Sequence, residues 1–501
     1  MSKPNLLFIY TDEQAISTLK AYGNDQIEMP NLNRFSEQCV VFEKAYVTQP
    51  VCTPSRSTLL TGQYPHSNGC VQNNIPLRPD TKCVPEMVSD QYVTAHHGKW
   101  HLGDEIFAQH GFEEFVSIED MYIGYYSEGR DREERSDYHH YLVDQGFTPN
   151  ENNIFQRHIT ARYPEEHTKA AFVADNAARF LKEHRDDPFV LFVNFLEPHM
   201  PFFGPRDDMY DRDSIPLPDN FEDIPDKGVP VRLRAHYKRR HGAGGPDEEA
   251  EGPEKWKDLI ARYWGLASMV DTQVGKIFDA LEELGLDENT IVVFTSDHGD
   301  MMGAHGLVAK CVQYEEAVRV PLFIRMPGQK QGHRVKGAVS QIDVVPTVLD
   351  LMGEPRDPQL EGKSLRKWLE DPNLEGPEED IIIEWNSSPS GLKHKDGLLH
   401  QQGATAYADV TDYEDDTLED IVKSASAALR TIITPDGWKL NASEVGDHEL
   451  YNLKDDPLEM NNLAGDPNYT DKMEELLGRI EKWQEKTGDK VKLQHAWDPI
   501  S

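Results

Sequence analysis

Four short apolar runs along the chain each end in polar or charged residues. Leu6–Tyr10 runs out at Asp12 and Glu13, and Tyr92–Ala95 at His96, His97, Gly98, Lys99, Trp100 and His101. Phe189–Leu196 ends at Glu197, Pro198 and His199, and Ile291–Phe294 at Ser296, Asp297, His298 and Gly299. Continuous apolar runs of this length predict strands buried on both faces. Between them the apolar spacing becomes helical. Phe172, Val173, Ala177 and Phe180 share a face over Lys169–His184. Leu259, Tyr263, Leu266, Val270, Val274, Ile277 and Leu281 do the same over Glu254–Leu284.

This alternation predicts an α/β domain: a large mixed, mainly parallel sheet flanked by helices. Such sheets bind ligands beyond the carboxyl ends of their strands. The fold class therefore gathers the acidic, basic and histidine residues that terminate the runs. After about Asp371 the pattern changes to short strands, turns and acidic loops. The expected division is a catalytic domain over 1–375 and a smaller C-terminal α+β subdomain over 376–501 with a short antiparallel sheet. Ala428–Ile433, Pro435-Asp436-Gly437 and Trp438-Lys439-Leu440 predict a hairpin there. Met473, Leu476, Leu477, Ile480 and Trp483 stripe a helix over Lys472–Trp483. The basic run Arg232–Arg240 and the Gly-, Pro- and Glu-rich Gly242–Glu254 read as one mobile loop or insertion, a solvated linker rather than a cover for the pocket, and the acidic run Asp412–Asp420 as a solvated loop.

Composition narrows the function classes. The 501 residues are 38% hydrophobic and 28% charged, a globular rather than a disordered balance. The net charge of −37 excludes nucleic acid as a partner, because phosphate binding needs a basic surface. It also means that an anionic substrate needs a locally positive pocket. The five cysteines (Cys39, Cys52, Cys70, Cys83 and Cys311) are odd in number and form no Cys-x-x-Cys pair. A disulfide scaffold and a structural zinc site are both disfavoured. Leu6–Tyr10 is too short for a signal segment or a membrane span, so the expected location is cytoplasmic, with no membrane partner.

The chemistry concentrates in Cys52-Thr53-Pro54-Ser55-Arg56-Ser57-Thr58-Leu59-Leu60-Thr61-Gly62. Pro54 suits the first turn of a helix, which puts Cys52 just before the helix N-terminus. That field, with Arg56 nearby, favours anions and is expected to lower a thiol pKa. On the residues alone, Cys52 is either a nucleophile or anion site, or an inert buried thiol.

The stretch resembles the Cys-x-Pro-Ser-Arg-x-x-x-Leu-Thr-Gly signature of the sulfatase family at every fixed position. The resemblance implies an alkaline-phosphatase-like fold. It also implies that Cys52 is oxidised by a formylglycine-generating maturation enzyme to formylglycine (3-oxoalanine), whose hydrate attacks the sulfur of a sulfate ester. Gly98-Lys99-Trp100-His101 resembles the tail of the second sulfatase signature. It implies that Lys99 holds the sulfate and that His101 is the base for breakdown of the sulfated hemiacetal. Glu197-Pro198-His199-Met200-Pro201 resembles the family's Pro-His-x-Pro segment, which makes His199 the general acid. Lys310, before Tyr314-Glu315 and Arg319-Val320-Pro321, resembles the second sulfate-holding lysine, and Arg56 is the orienting residue.

The same resemblance implies one divalent cation, usually calcium, held by Asp12, Glu13, Asp297, His298 and the Cys52-derived group. Glu13 departs from the Asp-Asp pair of many members: it either reaches the cation or turns away and leaves room for water. Pro4-Asn5, Pro30-Asn31-Leu32 and Glu449-Leu450-Tyr451-Asn452-Leu453 extend the similarity along the chain. Asp104–His167 carries no readable motif and, with the C-terminal loops, is expected to shape substrate choice. His96 and His97 read as packing or surface residues, and His305 as structural or substrate-facing. The implied reaction is hydrolysis of a sulfate ester, commonly of a sugar or glycan fragment. Two alternatives stay open: a phosphonate monoester or phosphodiester hydrolase of the same superfamily, and a non-catalytic protein that binds sulfated ligands.

Overall fold

The apolar runs become the centre of one nine-stranded sheet in the computed structural model, which describes residues 3–226, 228–242, 252–386 and 417–498. Its strands are β1 (Asn5–Asp12), β2 (Val40–Tyr46), β3 (Val93–Gly98), β4 (Glu114–Val116), β5 (Phe189–Pro198), β6 (Thr290–Ser296), β7 (Arg319–Val320), β8 (Leu322–Arg325) and β9 (His333–Ser340). Their order is β4-β3-β5-β1-β6-β8-β2-β7, with β9 paired to β2. β1 lies between β5 and β6 and is parallel to both; Leu6 faces Val190 on one side and Ile291 on the other. β8 runs antiparallel to β6, which makes the sheet mixed.

Every residue of β1 is buried, and its side chains divide by parity. Leu7 and Ile9 join the core beneath the helices Lys169–Glu183 and Pro253–Glu283. Leu6, Phe8 and Tyr10 join the opposite core, with Val344, Val345, Val348 and Leu349 from the helix Val344–Met352. Two covered faces explain why the strands read as unbroken apolar runs rather than as alternating ones. Truncating Phe8 to Ala removes a fully buried ring, a change that costs about 3–5 kcal/mol.

Because β1, β5 and β6 are parallel, Asp12, His199 and Asp297 emerge at one edge. Two local details differ from the sequence reading. The helix after β2 spans Cys52–Thr61 with Val51 as its N-cap, so Cys52 lies inside the first turn rather than before it. It ends at Gly62, where φ is 66° and a Cβ would meet the Leu360 side chain at 2.5 Å. β3 continues through His96 and His97, which are therefore core residues. His96 is caged by Trp100, Phe112 and Phe115.

A separate antiparallel sheet joins β10 (Ile381–Trp385), β11 (Leu429–Ile433), β12 (Trp438–Ser443) and β13 (Glu449–Asn452). Thr434–Gly437 turns β11 into β12, as the hairpin reading expected. The helix Thr470–Thr487 packs Met473, Leu476, Leu477 and Ile480 against Ile432, Leu440 and Leu450. Residues 243–251 of the loop reading and 412–416 of the acidic run lie outside the described residues, but the flanking parts correct that reading. Arg232–Arg240 lies in the helix Val231–Gly242, Pro253 opens the helix Pro253–Glu283, and Leu418–Asp420 begins the helix Leu418–Ser426, N-capped by Thr417. No described helix is long and apolar enough to cross a membrane.

Candidate active site

Arg56 is the hub of the strand-end cluster. Its Nη2 donates to Asp12 Oδ2 at 2.8 Å and its Nε to Asp297 Oδ2 at 2.8 Å. Nη1 donates to the Lys99 carbonyl and to Asn194 Oδ1, both at 2.7 Å. All of this is buried, where an unpaired charge is costly and a paired one holds its geometry. The helix Cys52–Thr61 is tied down again where Ser55 Oγ donates to the Asp297 carbonyl and to Gln341 Oε1.

Cys52 Sγ lies 3.3 Å from His298 Nε2 and 3.7 Å from Asp12 Oδ1. Donor atoms of Asp12, Cys52, Asp297 and His298 all fall within 4.8 Å of one another. His298 Nδ1 lies 3.0 Å from the Gly299 carbonyl, which can only accept. In the neutral ring this leaves the Nε2 lone pair facing the cluster, the form that binds a metal. Two carboxylates, one imidazole and a further donor on Cys52 form a set that fits one divalent cation; the oxygens suit calcium, and the imidazole tolerates transition metals. Glu13 is placed differently. Its backbone N–H donates to Asp297 Oδ1 at 3.1 Å, while Oε2 accepts from Lys310 Nζ at 2.5 Å. Its Oε1 is buried with no hydrogen-bond partner.

Lys99 Nζ donates to Asp12 Oδ2 at 2.5 Å, so two lysines and Arg56 face the carboxylates. Three cations, Lys99, Lys310 and Arg56, thus balance three carboxylates, Asp12, Glu13 and Asp297, and a bound divalent cation would tip the site towards the positive pocket that an acidic protein needs for an anionic substrate. Backbone strain gathers here as well. Glu13, His101, Ala309 and Cys311 are left-handed at φ 66°, 61°, 66° and 77°, the last two flanking Lys310. Non-glycine residues hold such angles where the surrounding structure over-determines them. Asp300 pins the Lys310 loop by accepting from the Met302 and Ala309 N–H groups.

The Cys52 thiol does not follow the helix-terminus expectation. Burial and the Asp12 carboxylate push it up to about 11, outweighing Lys99 and Lys310. Burial and Lys99 hold His101 neutral, well below the usual imidazole range. Its Nε2 lies 2.9 Å from Asn74 Oδ1, and its Nδ1 is buried without a partner. His199 is pushed down by burial and by Lys310, against the pull of Asp12. Its Nδ1 lies 2.7 Å from the Met200 carbonyl and its Nε2 3.4 Å from Glu13 Oε2.

The structure thus brings together Cys52, Arg56, Lys99, His101, His199, Lys310, Asp12, Glu13, Asp297 and His298. His305 is packed instead: its ring stacks on Tyr314 at 4.0 Å and its Nδ1 faces Asp223. Sequence reasoning missed three supports. Glu105 accepts from the Trp100 and His101 N–H groups, and Asn74 faces His101. Asn194 bridges Arg56 to the Tyr10 carbonyl. Of these only Asn194 left a signal, as the lone polar residue within Phe189–Leu196.

A fold of this kind, with a cation-ready carboxylate cluster behind a helix-borne cysteine, defines the class of hydrolase. The sulfatase family model matches residues 4–354, and the chain belongs to the sulfatase family, the sulfuric ester hydrolases. An ulvan-active sulfatase of Formosa agariphila is 26% identical over 98% of this chain and 83% of its own length. A structure solved with D-glucosamine-2-N,6-O-disulfate as substrate superposes with a TM-score of 0.72, at 22% identity and full coverage of both chains. A phosphonate monoester hydrolase from Silicibacter pomeroyi gives 0.76 at 22% identity, covering 99% of this chain and all of its own.

Proposed function

We propose that the protein hydrolyses a sulfate ester of a sugar or glycan fragment through a formylglycine made from Cys52. The observation that carries this is the meeting of Cys52 with Asp12, Asp297, His298, Lys99 and Lys310 at one strand edge. In the proposed reaction, a geminal-diol oxygen on residue 52 attacks sulfur, its proton passes to the neighbouring Asp12 carboxylate, and the S–O bond to the leaving alcohol breaks. Lys99 and Lys310 bind sulfate oxygens and offset the charge that spreads over them. Arg56 fixes the carboxylates and the helix that carries the nucleophile. Asp12, Asp297, His298 and the residue-52 oxygen hold a divalent cation, with Glu13 Oε1 as a further donor. Such a cation would supply Lewis-acid chemistry at the site.

His199 protonates the leaving alcohol. Its neutral resting state is no obstacle, because an arriving sulfate anion raises the basicity of a nearby imidazole. His101, with a bare Nδ1, then removes the proton of the remaining hydroxyl, and the sulfated hemiacetal expels sulfate to restore the aldehyde. The sugar assignment is supported by a relative named for ulvan and by the glucosamine disulfate complex. The maturation enzyme is implied by the Cys52 signature, and the cytoplasmic location by the sequence reading above.

The test is a screen of protein coexpressed with a maturation system against sulfated mono- and oligosaccharides, aryl sulfate and aryl phosphodiester. Released sulfate from a sugar sulfate supports the reading. Faster turnover of the phosphodiester than of every sulfate sinks it, and binding without turnover marks a ligand-binding protein.

A further inference from the structure

The stretch without motifs supplies one wall of the pocket. Tyr122 sets its ring 4.5 Å from that of His101, and its hydroxyl accepts from Arg157 Nη2 at 3.0 Å. Arg157 also lines a cleft with Lys169, Glu197 and His199. Arg157 is thus linked to His101 through Tyr122 and shares a cleft with His199, the two histidines assigned to proton transfer.

Its charge is only partly answered. Arg157 Nε donates to Glu119 Oε2 at 2.9 Å, and Lys169 Nζ pairs with the other oxygen of the same carboxylate. Glu119 is fully buried; burial pushes its pKa up, but Arg157 and Lys169 outweigh that and bring it to about 2. Two cations thus share one carboxylate. The next acid, Glu197, is pushed up by burial, and its Oε2 has no hydrogen-bond partner. Arg157 Nη1 makes no hydrogen bond among the described residues, and the side chain is 14% exposed. In a protein of net charge −37, two cations sharing one carboxylate beside the reaction centre stand out from the surface around them.

We propose that Arg157, braced by Tyr122, is a specificity residue that binds a second anionic group of the substrate, a carboxylate or a second sulfate, on the leaving-group side. The inference rests on the sulfatase reading above. A planar guanidinium with one free edge suits an oxyanion. Tyr122 offers an aromatic face to the sugar ring that carries it, as aromatic walls commonly do for ligands with one apolar and one polar side.

The test uses the matured full chain and two substrate pairs: glucosamine 6-sulfate against the 2-N,6-O-disulfate, and a carboxyl-reduced 2-sulfated uronide against the intact uronide. The wild type is expected to favour the doubly anionic member of at least one pair, and the pair shows which anion is read. Arg157→Gln is expected to cut that preference by about tenfold, chiefly through KM, since a charged hydrogen bond is lost. Arg157→Lys should restore part of it. If Arg157→Gln does not fold, the wild-type preference and the partial preference of Arg157→Lys decide. No preference in the wild type for either pair overturns the proposal, as does an equal loss on both members in Arg157→Gln. Turnover of aryl phosphodiester with none of any sulfate ester overturns the parent reading, a different result from sulfate turnover without preference.

Discussion

Arg56 Nη2 meets Asp12 Oδ2 at 2.8 Å with neither side chain exposed to solvent. The same guanidinium holds Asp297 through Nε, so one residue sets the spacing of carboxylates from two different strands. Lysine keeps the charge but cannot fork to both acids and to Asn194. Arg56→Lys is expected to lose about 3 kcal/mol of unfolding free energy, the order found when a buried pair is broken. A shift of about 1 Å in the cluster is worth roughly 100-fold in rate, so sulfate release should fall by about that factor. Denaturant unfolding and initial rates check both.

Cys52→Ala deletes a fully buried thiol at the first turn of its helix, a small change in volume. The variant should unfold close to the wild type, within about 1–2 kcal/mol. Sulfate release should vanish, and intact-mass analysis of the wild type should show the thiol replaced by an aldehyde. Near-normal activity in Cys52→Ala would falsify the nucleophile assignment.

The residues that became site members were legible because each ends an apolar run or sits in a signature. Asp12 ends β1, and Asp297 and His298 follow β6 directly, so naming the strands named the location of the cluster. Glu105, Tyr122 and Arg157 were not legible. They come from loops and a one-turn helix whose course no apolar period dictates, and they reach the site only through side-chain contacts. The protonation state of Cys52 was misread for a related reason. A helix N-terminus is visible in sequence, whereas the Asp12 carboxylate beside the sulfur is a fact of tertiary structure.

Cation binding should be visible without turnover. Asp12, Asp297 and His298 bring their donors together only in the fold, so a cation binds the native state alone and raises stability. Calcium at about 100 times its Kd should add roughly 2.7 kcal/mol after chelator treatment, read as a higher melting temperature. His298→Ala should lose most of that increment. A melting temperature indifferent to calcium, magnesium, manganese and zinc alike would remove the cation from the site.

His448 gives the small sheet a pH dependence of definite sign. The Ser443 N–H donates to its Nδ1 at 3.0 Å, a bond that requires that nitrogen to be unprotonated. Burial pushes its pKa from 6.5 down to about 4. The folded state thus binds fewer protons than the unfolded chain between these values. Its stabilising contribution is complete above pH 6.5 and is lost as the pH falls towards 4, by about 3 kcal/mol over the full window. In His448→Asn the amide oxygen can accept from Ser443, and no group titrates. The stability advantage of the wild type over this variant should therefore shrink between pH 7 and pH 5, measured by urea unfolding at each pH. A constant difference would show that His448 is protonated alike in the folded and unfolded chains.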